Sequence, residues 1–140
     1  MINYYDWADY QSRMHSNKIA ITDYSLNKKI SYKDLNLSAC KIATLLQMRG
    51  IGHEDRVAIL CKNHSIFFEL QFACAKIGSI MVPLNWRLTA NELEFILKDC
   101  APNLLIIDDC FKSTADQLSS LIPDIDILFF NSDEMSFISL

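Results

Sequence analysis

The side chains able to do chemistry in this 140-residue chain gather at a few short segments. His64 and Ser65 are adjacent, and Asp109 stands at a later loop. A histidine base, an acidic partner and a serine nucleophile are the parts of acyl-transfer catalysis. No G-x-S-x-G elbow surrounds Ser65, however, and Asn63 or Ser65 would equally well cap the helix that follows. Trp86 beside Arg87 could form a stacking or anion-holding pair; the plainer arrangement is a packed tryptophan with a surface arginine. Asp124 and Asp126 could approach a cation, but two carboxylates without further oxygen ligands make a poor site. They read instead as marking the loop before the last strand, and the paired Asp108-Asp109 reads as solvated. His15 and His53 lie in polar surroundings and are expected at the surface.

Gly50 and Gly52 begin like a dinucleotide fingerprint, but the context is reversed. A phosphate-binding turn follows a strand and opens a helix, so that helix N–H groups face the anion. Here the glycines follow a helix and precede a strand, which reads as a helix stop and a turn. Nothing matches a P-loop.

The elements that must position these residues follow from periodicity. Residues 4–14 predict an aromatic-rich helix with Tyr4, Trp7, Ala8 and Tyr10 partly on one face, more suited to lie over the core than to dock a partner. Ile19–Tyr24 and Lys29–Tyr32 flank the polar turn Ser25-Leu26-Asn27-Lys28 and predict a hairpin. Ser31 with Asp34 has the form of a capping box; Leu35, Ala39, Ile42, Ala43 and Leu46 then recur at helical spacing until Gly50. Beyond that the chain alternates. Strands are predicted at Arg56–Cys61, Ile80–Val82, Leu104–Ile107 and Asp126–Phe130, and helices at Ser65–Ile77, Thr89–Cys100 and Phe111–Leu121. The helix at 65–77 is apolar nearly all round and is expected between layers. The strands are apolar runs, as strands covered on both faces are. The expected class is α/β: a mostly parallel sheet with helices on both faces, plus an N-terminal helix and a β-hairpin.

Composition narrows the function. Hydrophobic residues make up 51% of the chain, enough to fill a core, and the net charge of −4 disfavours a nucleic-acid partner. The cysteines at 40, 61, 74, 100 and 110 have no metal-site spacing and read as reduced, buried thiols of a cytoplasmic protein. Met1 to Asp6 lacks the basic-then-apolar pattern of a signal peptide, so none is expected. The longest apolar stretch, Ile66 to Ile77, is interrupted by Glu69, Gln71 and Lys76 and is too short to cross a bilayer.

The order of several segments resembles the front of AMP-forming acyl-CoA synthetases. Lys18-Ile19-Ala20-Ile21 is similar to their "dkiAl" strand, and Ile30-Ser31-Tyr32-Lys33-Asp34-Leu35 to their "lTYaeL" helix start. Gly50 to Leu60 resembles "GvgpGDrVail", with His53-Glu54 in place of "pG". Asn63-His64-Ser65 stands where "Ns" opens a helix, Lys76-Ile77-Gly78-Ser79-Ile80 is similar to "akaGav", and Val82 to Leu93 resembles "VPLNxRLTxxEL".

The resemblance implies a parent enzyme that makes an acyl-adenylate from a carboxylic acid and ATP with Mg2+, then passes the acyl group to coenzyme A. It implies an N-terminal fragment, because the family's Ser/Thr/Gly-rich loop, adenine-binding segment and far C-terminal lysine have no counterpart in these residues. Thr114-Ala115-Asp116 and Ser119-Ser120 lack the glycines and the lysine. No catalytic, cofactor-binding or metal-ligating residue carries over. The expectation is one α/β domain spanning 1–140, part of the AMP-binding large domain, inactive alone and self-associating through apolar surface. Alternatives are a naturally short α/β interaction module and a small hydrolase using Ser65 and His64.

Overall fold

The computed structural model describes residues 6–24, 26–131 and 136–138, so the expectations for Tyr4 and Ser25 lie outside the described residues. The chain forms two compact units, one running to His53 and including His64–Ser79, the other holding Glu54–Asn63 and the residues from Ile80.

The first unit contains helix α1 (Trp7–Met14), strands β1 (Ile19–Asp23) and β2 (Lys28–Ser31), and helices α2 (Tyr32–Met48) and α3 (Ile66–Ile77). Asp6 caps α1 by accepting the Asp9 N–H at 2.9 Å. The same carboxylate takes a 2.6 Å bond from Lys76 Nζ of α3, which also donates to Asn36 Oδ1 of α2 at 2.7 Å. One largely buried ammonium thus ties three helices, and its charge is tolerated because both neighbours accept from it. Burial pushes the Asp6 carboxyl up, but the Lys76 bond and the helix N–H groups outweigh it and hold it below its usual range.

The expected cover of the core by an aromatic α1 is corrected. Only Ala8 of α1 is buried, where the helix rests on α2, and Trp7 and Met14 are 58% and 59% exposed. The Asp6–Lys76 bond and the Ala8 contact set the rotation of α1 and leave Trp7 more than half exposed.

β1 and β2 form the predicted antiparallel hairpin, with Ile21 opposite Ile30 and Asp23 opposite Lys28. Asn27 supplies the left-handed turn residue at φ 48°. Ser31 caps α2 by accepting the Asp34 N–H at 3.1 Å, and its hydroxyl donates to the Asp34 carboxylate at 2.6 Å. The five predicted apolar residues of α2 are all buried. α3 departs from its sequence pattern: Phe68 is half exposed while Glu69 is buried. α3 stops at Gly78, whose φ of 75° disfavours other residues and where an added Cβ would stand 2.7 Å from His53 Cδ2.

The second unit holds β3 (Arg56–Leu60), β4 (Ile80–Pro83), helix α4 (Ala90–Cys100), β5 (Leu104–Asp108), a 3₁₀ turn at Asp109–Phe111, helix α5 (Lys112–Leu121), β6 (Ile127–Asn131) and β7 (Ser136–Ile138). The sheet order is β4-β3-β5-β6-β7. The first four strands are parallel and β7 is antiparallel to β6. The strand at 127–131 is therefore not the last, as expected; β7 spans three residues, too few to show a period.

Val57 to Leu60 and Leu104 to Ile107 are at most 1% exposed, so the alternate residues of both central strands are shielded equally. Burial of each such side chain stabilises by roughly 1.5–3 kcal/mol. β4 and β6 differ from the expectation of fully covered runs: β4 is an edge strand with Ile80 and Pro83 exposed, and β6 alternates. Proline is tolerated at that edge, where no further strand needs its missing N–H. Leu93 and Leu97 of α4 and Ala115 and Leu118 of α5 join Ala58, Leu60, Leu105 and Ile107 in one apolar cluster. α4 opens with a complete capping box between Thr89 and Glu92.

Glu54, at the position of a glycine in the similar pattern, has a φ of 67°. A non-glycine residue there carries roughly 1–2 kcal/mol of strain. Glu54→Gly is expected to raise the midpoint of urea denaturation, by about 1 kcal/mol in free energy. An unchanged or lower midpoint would mean that the contacts of the Glu54 side chain outweigh its backbone strain.

Candidate functional site

The chain passes from β3 to β4 on one side, then crosses back to β5 on the other. The order therefore reverses between β3 and β5, and in open parallel sheets ligands collect beyond the carboxyl ends of strands at such a point. Three connections leave that edge, at Cys61-Lys62, Leu84–Leu88 and Asp108–Phe111.

Trp86 is half-buried against the apolar cluster under α4 and α5, its ring 6.2 Å from that of Phe111. The Arg87 guanidinium lies 4.4 Å above the Trp86 ring and Lys62 Nζ lies 6.0 Å from its centre. Both readings of this pair therefore hold together: the tryptophan packs and the surface arginine stacks on it. Asn85 sets the geometry, its side-chain oxygen accepting the Arg87 N–H and its carbonyl the Leu88 N–H, both at 3.1 Å. Two cations on one ring offer a face for a planar or anionic group.

Asp108, at the end of β5, is fully buried, against the expectation of a solvated carboxylate pair. β5 runs through Asp108 and carries it into the interior, and only Asp109 reaches the partly open turn. Asp108 Oδ1 accepts the Cys110 N–H at 3.3 Å, whereas Oδ2 is buried without a hydrogen bond. Asn131 Nδ2 donates to Asp109 at 2.8 Å. Burial, with Asp108 and Cys110 adding to it, pushes the Cys61 thiol up to about 12. Partial burial and Asp108 likewise push Cys110 up to about 11, against the opposing pull of Lys62. Thiols held protonated at neutral pH are weak nucleophiles. Sequence reasoning missed Asp108 and Cys61 as neighbours, since only the pairing of Leu60 with Ile107 brings them together.

Ser65 and His64 do not form a nucleophile and base within the first unit. Ser65 Oγ is buried and makes no hydrogen bond, so nothing activates it. His64 Nδ1 instead lies 3.9 Å from Asp23, whose carboxylate accepts the Ser65 N–H at 3.0 Å and the Leu26 N–H at 3.2 Å. That bond also replaces the expected side-chain cap at Ser65 of α3. His15, His53, Asp124 and Asp126 are exposed, and Gly50, at φ 79°, stops α2. Among the described residues no three His, Cys, Asp or Glu side chains gather as a metal cage. The expectation of buried thiols holds for Cys61 and Cys74; Cys40 and Cys110 are exposed.

An open sheet of four parallel strands whose order reverses between β3 and β5, packed by α4 and α5, defines an α/β fold. The family described as AMP-binding enzyme matches residues 8–134, and the chain belongs to it. It is similar to the fatty acid–[acyl-carrier-protein] ligase ScoC of Streptomyces coeruleorubidus, 36% identical over 97 residues, covering 69% of this chain and 19% of the relative. It is also 29% identical over 134 residues to the indoleacetate–CoA ligase of Aromatoleum aromaticum, covering 96% of this chain and 26% of the relative. Among solved structures, the inhibitor-bound N-terminal domain of FACL13 from Mycobacterium tuberculosis superposes with a TM-score of 0.86 at 27% identity, over 96% of this chain and 35% of that one. The chain thus spans 19% and 26% of the length of these two curated relatives. No helix among the described residues is long and apolar enough to cross a membrane.

Thiol labelling tests the electrostatics of this edge. In the native chain at pH 8, iodoacetamide should modify exposed Cys40 well before Cys110, and Cys61 should be protected. The Cys110 rate should rise about tenfold per pH unit up to pH 10, following its thiolate fraction. Equal rates for Cys40 and Cys110 at pH 8 would contradict the raised Cys110 thiol.

Proposed function

We propose that residues 1–140 are the N-terminal segment of the AMP-binding large domain of an ATP-dependent acyl-CoA synthetase. The whole enzyme joins a carboxylic acid to ATP, releases pyrophosphate, and transfers the acyl group from the adenylate to coenzyme A, in the cytoplasm. The observation that carries this reading is the family match over nearly the whole chain, together with the small share of each relative that the chain covers.

The segment's part is to build walls rather than to catalyse. Leaving pyrophosphate must be met by fixed donors and positive charge. The residues here fit that need only in part. Lys62 and Arg87 bring positive charge to the carboxyl edge, but both face the Trp86 ring, and no glycine-rich turn opens α3, α4 or α5 toward an anion. No step is assigned to ATP, Mg2+ or coenzyme A on this chain. Apolar surface left in solvent, as at Trp7 and Met14 in the first unit and Phe95 in the second, favours self-association of the isolated chain.

Purified chain should give no ATP–pyrophosphate exchange above background with aliphatic or aromatic carboxylic acids. Robust exchange would overturn the assignment of the chemistry to residues outside these 140. A glycine-rich reading frame continuing past codon 140 would separate the enzyme segment from a short interaction module.

Light scattering should show an average mass that rises with concentration. A strictly monomeric mass over a hundredfold range would overturn the self-association.

A further inference from the structure

The first unit buries a carboxyl on α3. Glu69 of α3 is 5% exposed in a helix whose other buried residues, Ile66, Leu70, Ala73 and Cys74, are apolar. It stands at one wall of a pocket of about 280 Å³ lined also by Lys28, Lys29 and Ile30 of β2 and by Asp34, Leu37 and Ser38 of α2. One helical turn before it, the buried Ser65 hydroxyl stands close enough to act on the Glu69 carboxyl. The charged groups that bear on Glu69 are Lys28 from β2 and Asp23 from β1; α2 presents the Ser38 hydroxyl. Asp23 in turn holds the Ser65 N–H and lies 3.9 Å from His64. Hairpin, α2 and α3 therefore meet around one carboxyl and a small polar space.

We infer that Glu69 is a proton-operated clasp for the β1–β2 hairpin: neutral, it lets the hairpin seat on α2 and α3; ionised, it draws water into the pocket, against the pull of Lys28, and loosens the hairpin. The physical reason is desolvation. A charged carboxylate inside needs more donors than Ser65 and Ser38 supply, and solvent can reach it through the pocket. Burial is the largest influence on Glu69 and raises its carboxyl above the ordinary 4.5, outweighing the hydroxyls and Lys28, which lower it. The folded chain then binds this proton more tightly than the unfolded chain. The stability it contributes is whole below the ordinary value and is lost as pH rises through the folded value.

Glu69→Gln keeps the neutral form at every pH and gives the test. Its melting temperature should match wild type near pH 4.5 and exceed it at pH 8. Amide exchange in Ile19–Ser31, corrected for intrinsic rates, should quicken with pH in wild type but not in the variant. Ser65→Ala, which removes a donor, should move the carbon-13 titration midpoint of the Glu69 carboxyl further up. A Glu69 midpoint at or below 4.5, or a Glu69→Gln effect of the same size and sign at both pH values, would overturn the clasp.

Discussion

The pairing of β3 with β5 is the constraint on which the second unit depends. Val57 to Leu60 run beside Leu104 to Ile107 in parallel register, all nearly without exposure. Parallel strands of this kind survive only with both faces shielded, because neither alternate set of side chains is fit for water. The register is pinned at its start by two bonds across the sheet: Arg56 N–H to Asn103 Oδ1 at 2.9 Å and Asn103 N–H to the Arg56 carbonyl at 2.8 Å. A slip of one residue would turn every side chain of the slipped strand to the opposite face. With the register set, the strand ends fall together, and Cys61, Asp108 and Cys110 become neighbours without any motif linking them.

The same edge shows how a packed core presents polar chemistry. Trp86 belongs to the apolar cluster under α4 and α5 and also carries two cations on its ring, so packing energy holds an electrostatic surface in place. Asp108 works the other way. One of its oxygens is buried without a partner, at a cost of about 1–3 kcal/mol. Its charge reaches outward through Cys61 and Cys110, whose thiols it helps to keep protonated.

In the first unit the joints are ionic and the surfaces between them apolar. Lys76 gathers Asp6 and Asn36 where three helices meet, and Asp23 gathers Ser65, Leu26 and His64 where the hairpin meets α3. Buried polar knots like these stabilise little in net terms, since desolvation offsets most of their attraction. They do specify geometry: the Asp6 joint sets which side of α1 is buried, and the Asp23 joint supplies the start of α3.

Local chemistry was legible in the residues themselves. Ser31 announces a helix start and Gly50 a stop, because capping and φ preference act within a few residues of their source. Uninterrupted apolar strands separated by helices likewise declared a parallel α/β sheet, and the ordered segments from Lys18 to Leu93 declared the family. What the one-dimensional pattern could not hold was every fact that depends on a neighbour distant in the chain. Burial of Glu69 and Asp108, exposure of Phe68 and Trp7, the bond from Ser65 to Asp23 and the edge strand β7 arise only when strand order and helix rotation are settled. Hydropathy states what a side chain prefers, while the final arrangement decides which preferences can be met at once.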